Sequence, residues 1–218
     1  MPEPSWMSLA LVAAMALGGY LLGSISGSLV LGRFRGIDIR AMGSGNAGGT
    51  NALRTVGWKF ALGVVLIDLG KGVLAAGALP LLAPADGEFS RITLGAAAGF
   101  AAVLGHIWPL YFRFKGGKGA GTAVGVIAVI APWCVLPLLV VWLVTLIGTG
   151  FVGLATMLAG LSLVPAMWLL GPDPLPGALG PLAIALAVLL IFTHRENLAR
   201  MRSGTENRFE KARLIKRR

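Results

Sequence analysis

Two short stretches concentrate the groups that bind phosphate. In "AMGSGNAGGTNALRTVG", residues 41–57, Gly43, Gly45, Gly48 and Gly49 are interleaved with Ser44, Asn46, Thr50, Asn51 and Arg54. Glycines let a backbone approach a ligand and turn its N–H groups inward into a concave anion site, to which Ser and Asn side chains add donors. A helix beginning near Thr50 would aim its positive end at the same anion, and Arg54, within a turn, would add a bidentate guanidinium. The second stretch, "GHIWPLYFRFKGGKGAGT", residues 105–122, repeats the logic with Lys115 and Lys118 flanking Gly116 and Gly117. It is not a Walker loop, because Gly119 rather than Ser or Thr follows Lys118 and an apolar segment rather than a strand precedes it. Lysines so placed also serve as plain contacts to anionic lipid. A third cluster, "HRENLARMRSGTEN", residues 194–207, brings His194, Arg195, Asn197 and Arg200 within reach of the same chemistry, with Glu196 and Arg200 spaced for an ordinary i,i+4 pair.

The elements that hold these stretches are apolar. Of 218 residues, 56% are hydrophobic and only 13% charged, and the mean hydropathy is +0.81, far from a soluble domain in which about a quarter of residues are charged. This is the composition of an all-α integral membrane protein, read here as one transmembrane domain over 1–218 with a basic tail at 194–218. Apolar segments run over about 6–32, 57–82, 91–112, 119–131, 133–148, 151–170 and 178–193. The first lacks a basic leader, carries Glu3 instead and is too long for a signal-peptide core, so it reads as a retained helix. The fourth and fifth are short, and Pro132 either bends one helix or separates two.

Charge decides between six crossings and seven. Lys and Arg cluster in 33–59 (Arg33, Arg35, Arg40, Arg54, Lys59), in 113–118 (Arg113, Lys115, Lys118) and from Arg195 to Arg218, with only Lys71 and Arg91 elsewhere. If all three clusters lie on the cytoplasmic face, an even number of crossings must separate 118 from 194. Splitting at Pro132 satisfies this and predicts seven transmembrane helices, some short, with the N-terminus outside and the polar Gly-rich loops on the cytoplasmic face. The acidic loops "APADGEFSR" and "GPDPLPG" then fall outside, and "IGTGFVGLAT" near 147–156 falls inside. The net charge of +10 is thereby a topology signal and does not call for a nucleic-acid partner.

The remaining reactive groups are sparse. Asp68 and Lys71 share a helix face in the second apolar segment and pair with each other or with interior polar groups. His106 reads as a packing or loop-anchoring histidine, and Cys134, alone and within an apolar run, as a buried small residue. The common acyltransferase pairing of His with Asp five residues later is missing, since Tyr111 follows His106 at that spacing and Ala199 follows His194. No Ser pairs evidently with both a His and a carboxylate.

Taken together, "GSGNAGGTNALR", "DLGKG", "GHIWPLYFRFKGGKG" and "HRENLARMRSGTEN" resemble, over essentially the whole chain, the bacterial acyl-phosphate-dependent glycerol-3-phosphate acyltransferases, the PlsY family. The resemblance implies seven helices, an outside N-terminus and a cytoplasmic active site in the bacterial inner membrane. It implies transfer of a fatty acyl group from acyl phosphate to the 1-hydroxyl of glycerol 3-phosphate, giving lysophosphatidic acid and phosphate in phospholipid biosynthesis, without cofactor or metal. Coupling to an enzyme that forms acyl phosphate is a further implication. By the same resemblance Ser44, Arg54, Lys118 and His194 are the catalytic contacts to glycerol phosphate. Gly43, Gly45, Asn46, Gly48, Thr50 and Asn51 then shape or bind in the phosphate loop, joined by Lys115, Gly116, Gly117 and Asn197. One departure stands out: where the family carries an aromatic, serine-rich stretch with a basic residue, this chain reads "TGFVGLAT", with Gly150 and Gly153, leaving Thr149 and Thr156 as hydroxyl donors. The rival reading, a transporter of a phosphorylated solute, predicts an internal repeat and mid-membrane binding elements. No repeat is visible, and the polar clusters sit at segment ends.

Overall fold

The first apolar run is broken at "SIS". In the computed structural model, which describes residues 4–172 and 175–209, helix α1 (Trp6–Gly23) stops at Gly23 and a separate helix α2 (Gly27–Phe34) starts at Gly27, with Ser24 and Ser26 buried between them. A single helix over 6–32, expected from hydropathy, is thus corrected to two. The orphan backbone groups at a helix end need partners, and here two charged side chains supply them. Lys71 Nζ donates to the carbonyls of Gly23 at 2.7 Å and Ile25 at 2.9 Å, while Asp68 Oδ1 accepts from the Gly27 N–H at 3.1 Å. Both belong to helix α4 (Trp58–Val73), reached through the short helix α3 (Gly49–Thr55). The expected Asp68–Lys71 pair forms, at 3.2 Å.

The chain divides into two units, Met1–Ile130 and Ala131–Arg218. In the first, α1 packs on helix α5 (Arg91–Ile107) through small residues. A Cβ at Gly19, Gly23 or Gly105 would run into the backbone carbonyl of Ala98, Ala102 or Tyr20. Such close approach drives helix association where lipid removes the hydrophobic incentive. Helix α6 (Ala120–Ile130) packs on α4 in the same way, with Gly72 facing the Thr122 carbonyl and Gly125 that of Leu69. Beneath the glycine loop, Leu29, Ile39, Ala47, Ala52, Phe60, Ala61 and Val64 form a buried cluster, so the loop rests on a packed base.

In the second unit a short turn, Pro132–Cys134, leads into helix α7 (Val135–Thr149). Helix α8 (Val152–Leu170) packs on α7 and on helix α9 (Leu179–Thr193), and helix α10 (Arg195–Arg202) follows after a bend of 47°. The break expected at Pro132 is present. No strand occurs among the described residues. Among the described residues five helices are long and apolar enough to cross a membrane, six if α9 and α10 form one span; α6, with 11 residues, is shorter. Glu3, Asp173 of the "GPDPLPG" loop and the tail lysines and arginines from Lys211 onward lie outside the described residues.

Candidate functional site

The 43–49 loop is shaped by one buried side chain. Asn51, 2% exposed, lies in the first turns of α3. Its Nδ2 donates to the carbonyls of Met42 at 2.9 Å and of Ile39 and Asn46 at 3.1 Å, and its Oδ1 accepts from the Ser44 N–H at 3.0 Å. Three carbonyls share the amide's two hydrogens and one N–H takes a lone pair of its oxygen, so Asn51 builds the loop. Around it Gly43 (φ 55) and Gly45 (φ 71) take the left-handed conformation that side chains resist. At Gly43 a Cβ would also strike Asn51 Oδ1. Ser44, so presented, is exposed. Helix α3 begins at Gly49, close to the expected Thr50, and ends with Arg54 exposed in its last turn.

The 115–119 loop is brought against it. Gly116 N–H donates to the Ile107 carbonyl and Gly117 N–H to that of His106, each at 3.1 Å. A Cβ on Gly117 would lie 3.1 Å from the Ala47 carbonyl and would collide with the His106 ring. From outside, Arg40 ties the pair together: its Nη1 donates to Lys115 O at 3.1 Å and Phe112 O at 3.2 Å, while its Nε and Nη2 hold Asp38. That side-chain hydrogen bond holds the Asp38 carboxyl below its usual range, outweighing the effect of burial, and raises the Arg40 guanidinium. Arg113 and Phe114 both adopt φ 57 at the turn before Lys115, a strained arrangement costing roughly 1–2 kcal/mol per residue. Ser44, Lys115 and Lys118 therefore stand on two loops in mutual contact, and Arg54 on the helix that follows the first. In the sequence Arg40 stands only among the topology charges; "IDIR" carries an acid and a base two apart, but nothing local shows that the base reaches 72 and 75 residues along the chain.

In the second unit His194 joins α9 to α10 and is 6% exposed. Its Nδ1 donates to the Leu190 carbonyl at 2.8 Å, which leaves the lone pair of a neutral ring on Nε2. Asn197 Nδ2 donates to Glu206 Oε1 and Arg200 Nε to Glu206 Oε2, both at 2.6 Å. Arg200 lies 4.0 Å from Glu196. The expected i,i+4 pair is thus secondary to a link with Glu206, whose side chain is 5% exposed. In the sequence Glu206, an acid in a basic tail, looks like a solvated charge. Gly153 fits beneath Asn197, where a Cβ would stand 2.8 Å from the amide, and Gly150 (φ 77) ends α7 and accepts from the Phe209 N–H at 2.8 Å. These contacts give the two glycines of the divergent loop a structural reason. Thr149 and Thr156 spend their hydroxyl protons on the carbonyls of Thr145 and Val152 at 2.7 and 2.9 Å. Thr156 also accepts from Trp142 Nε1 at 3.3 Å.

Comparison with known proteins gives a consistent result. The family model "Glycerol-3-phosphate acyltransferase" matches residues 13–204. A glycerol-3-phosphate acyltransferase of Shouchella clausii is 41% identical over 207 residues, covering 94% of this chain and 98% of that one. That of Symbiobacterium thermophilum is 42% identical over 200 residues, covering 92% and 96%. Among solved structures, PlsY (YgiH), an integral membrane glycerol 3-phosphate acyltransferase, matches in its glycerol 3-phosphate form with TM-score 0.78 and 36% identity, covering 93% of this chain and 96% of that one. Its lysophosphatidic acid form matches with TM-score 0.78 and 34% identity, covering 92% and 97%.

Proposed function

The chain belongs to the glycerol-3-phosphate acyltransferase family, and from that premise we propose that its paired glycine loops hold glycerol 3-phosphate while acyl phosphate donates the acyl group. It is an integral membrane acyltransferase that acylates glycerol 3-phosphate to lysophosphatidic acid; a transporter of a phosphorylated solute is not favoured. The observation that supports the site assignment is the approach of the 115–119 loop to the 43–49 loop at Gly117 and Ala47; Ser44, Lys115 and Lys118 belong to these loops, and Arg54 to the helix after the first. His194 and Asn197 are assigned to substrate by the family resemblance.

Acyl phosphate is already activated, so the enzyme has to hold two anionic substrates together and stabilise the developing oxyanion. The 1-hydroxyl oxygen of glycerol 3-phosphate forms a bond to the acyl carbon, the bond from that carbon to the phosphate oxygen breaks, and inorganic phosphate leaves. The hydroxyl proton passes to a substrate phosphate oxygen. No acyl-enzyme is needed, and Cys134, fully buried, is a poor candidate for one. In the membrane we place seven spans, counting α6 and α9, with the N-terminus outside and the glycine loops cytoplasmic. An enzyme forming acyl phosphate would work alongside.

Purified protein given glycerol 3-phosphate with either acyl phosphate or acyl-CoA tests the reading. Lysophosphatidic acid and phosphate should appear with acyl phosphate. Product from acyl-CoA alone would reject the donor assignment, and product from neither would reject the function. With acyl phosphate alone, mass spectrometry should find no acylated protein.

A further inference from the structure

Three titratable side chains that the reaction does not use lie beneath the two loops. Asp68 and Lys71 of α4 are each 4% exposed, and His106 of α5 is 3% exposed. Lys71 Nζ stands 2.9 Å from His106 Nδ1 and 3.2 Å from Asp68 Oδ1, and the same oxygen lies 3.4 Å from His106 Nδ1. The Gly23 and Ile25 carbonyls take two of the ammonium's three hydrogens. Nδ1 lies closest to the third, so the neutral ring accepts there and carries its proton on Nε2. Ionisable groups this deep in membrane helices are expensive, and a helix break can be capped by uncharged groups.

Two lines of contact lead from this group to the loops. Asp68 fixes the Gly27 N–H, and one residue on, Ser28 Oγ donates to the Ala47 carbonyl at 2.9 Å. On the other side, the His106 carbonyl accepts from Gly117 N–H at 3.1 Å, and the Nε2 edge of its ring abuts Gly117 so tightly that a methyl group there would collide with it. Ala47 and Gly117 are where the loops touch, and the group reaches both.

We propose that Asp68, Lys71 and His106 act as one positioning unit that sets the gap between the 43–49 and 115–119 loops, and through it the use of glycerol 3-phosphate. This rests on the reading that those loops bind that substrate. Since small misplacements of binding groups cost rate and affinity steeply, disturbing the unit changes recognition of the polar substrate and leaves the acyl donor largely untouched.

The test uses the full-length protein in detergent, with His106→Ala, Gly117→Ala, their double variant and Asp68→Asn. Each single variant should raise KM for glycerol 3-phosphate about tenfold, with kcat falling less than about threefold and KM for acyl phosphate unchanged. The double variant should be no worse than the poorer single one, because the added methyl group then meets no ring. Gly117→Ala leaves the buried charges in place and carries the test if a core variant fails to fold. Wild-type KM in folded variants, or independent multiplying effects in the double variant, would overturn the unit. Failure of the wild-type protein to make lysophosphatidic acid would instead reject the functional reading beneath it.

Discussion

One turn of α3 separates Asn51, 2% exposed, from Arg54, which faces outward. Both types suit a phosphate site, and sequence alone gives them equal standing; the difference lies in burial, Asn51 being enclosed by its own loop and Arg54 exposed. Asn51 is engaged by the Ile39, Met42 and Asn46 carbonyls and the Ser44 N–H, so it acts through the loop. Replacing it with Leu removes the amide donor shared by three carbonyls and the acceptor of the Ser44 N–H. The loss of a buried polar partner costs about 1–3 kcal/mol, and the expected outcome is a lower unfolding midpoint in detergent together with lost activity. Arg54 calls for a different result. Arg54→Lys keeps the charge and loses the fork, so the unfolding midpoint should stay near wild type while kcat/KM for glycerol 3-phosphate falls by about 1.5–3 kcal/mol in transition-state binding. An Arg54→Ala protein with unaltered affinity and turnover would remove this residue from the site.

Hydropathy made most of the helices legible, because α7, α8 and α9 carry no charged residue, α4 and α5 carry few, and their polar flanks are short. It failed at residues 24–26, where two serines around Ile25 leave the apolar run intact and the break is enforced by Lys71 and Asp68, more than forty residues away. The start of α3 was legible for the opposite reason: its signal, a glycine-rich loop, is local. Arg40 and Glu206 show the same limit as the break, each being a charge whose partners only the fold supplies. Glu206→Ala should therefore act on the whole of α10. Without that carboxylate, Asn197 and Arg200 lose their acceptors, at about 1.5–3 kcal/mol for a charged hydrogen bond. Proteolysis or hydrogen exchange should report loosening across Arg195–Arg202. Unchanged protection there would show that α10 is held by its packing alone.

For the molecule as a whole, charge asymmetry is the strongest determinant of how the chain lies in a bilayer. The clusters at 33–59, 113–118 and beyond 195 hold all the Lys and Arg except Lys71 and Arg91. Of those two, Lys71 is buried against Asp68, and Arg91 Nη1 donates to the Pro80 carbonyl at 3.2 Å. Neither opposes the orientation expected from the clusters. At the opposite end of α1, Glu88 accepts from the Ser5 N–H at 3.0 Å, a bond that lowers its carboxyl pKa. This fastens the start of α1 to the acidic 84–90 loop and requires both to lie on one face. The expected topology follows: Ser5 and residue 175 outside, residues 40–54, 115–118 and 205 inside. Cys134 is fully buried, and Cys134→Ala gives a background free of native thiol. Single cysteines at Ser5, Glu88, Ala41 and Thr205, treated in intact cells with a membrane-impermeant maleimide, should label at 5 and 88 and stay silent at 41 and 205 until the membrane is opened. Labelling of 5 without 88 would break the link between α1 and its loop, whereas labelling of 205 from outside would leave an odd number of crossings between the 113–118 cluster and the tail, and the seven-span arrangement would have to be abandoned.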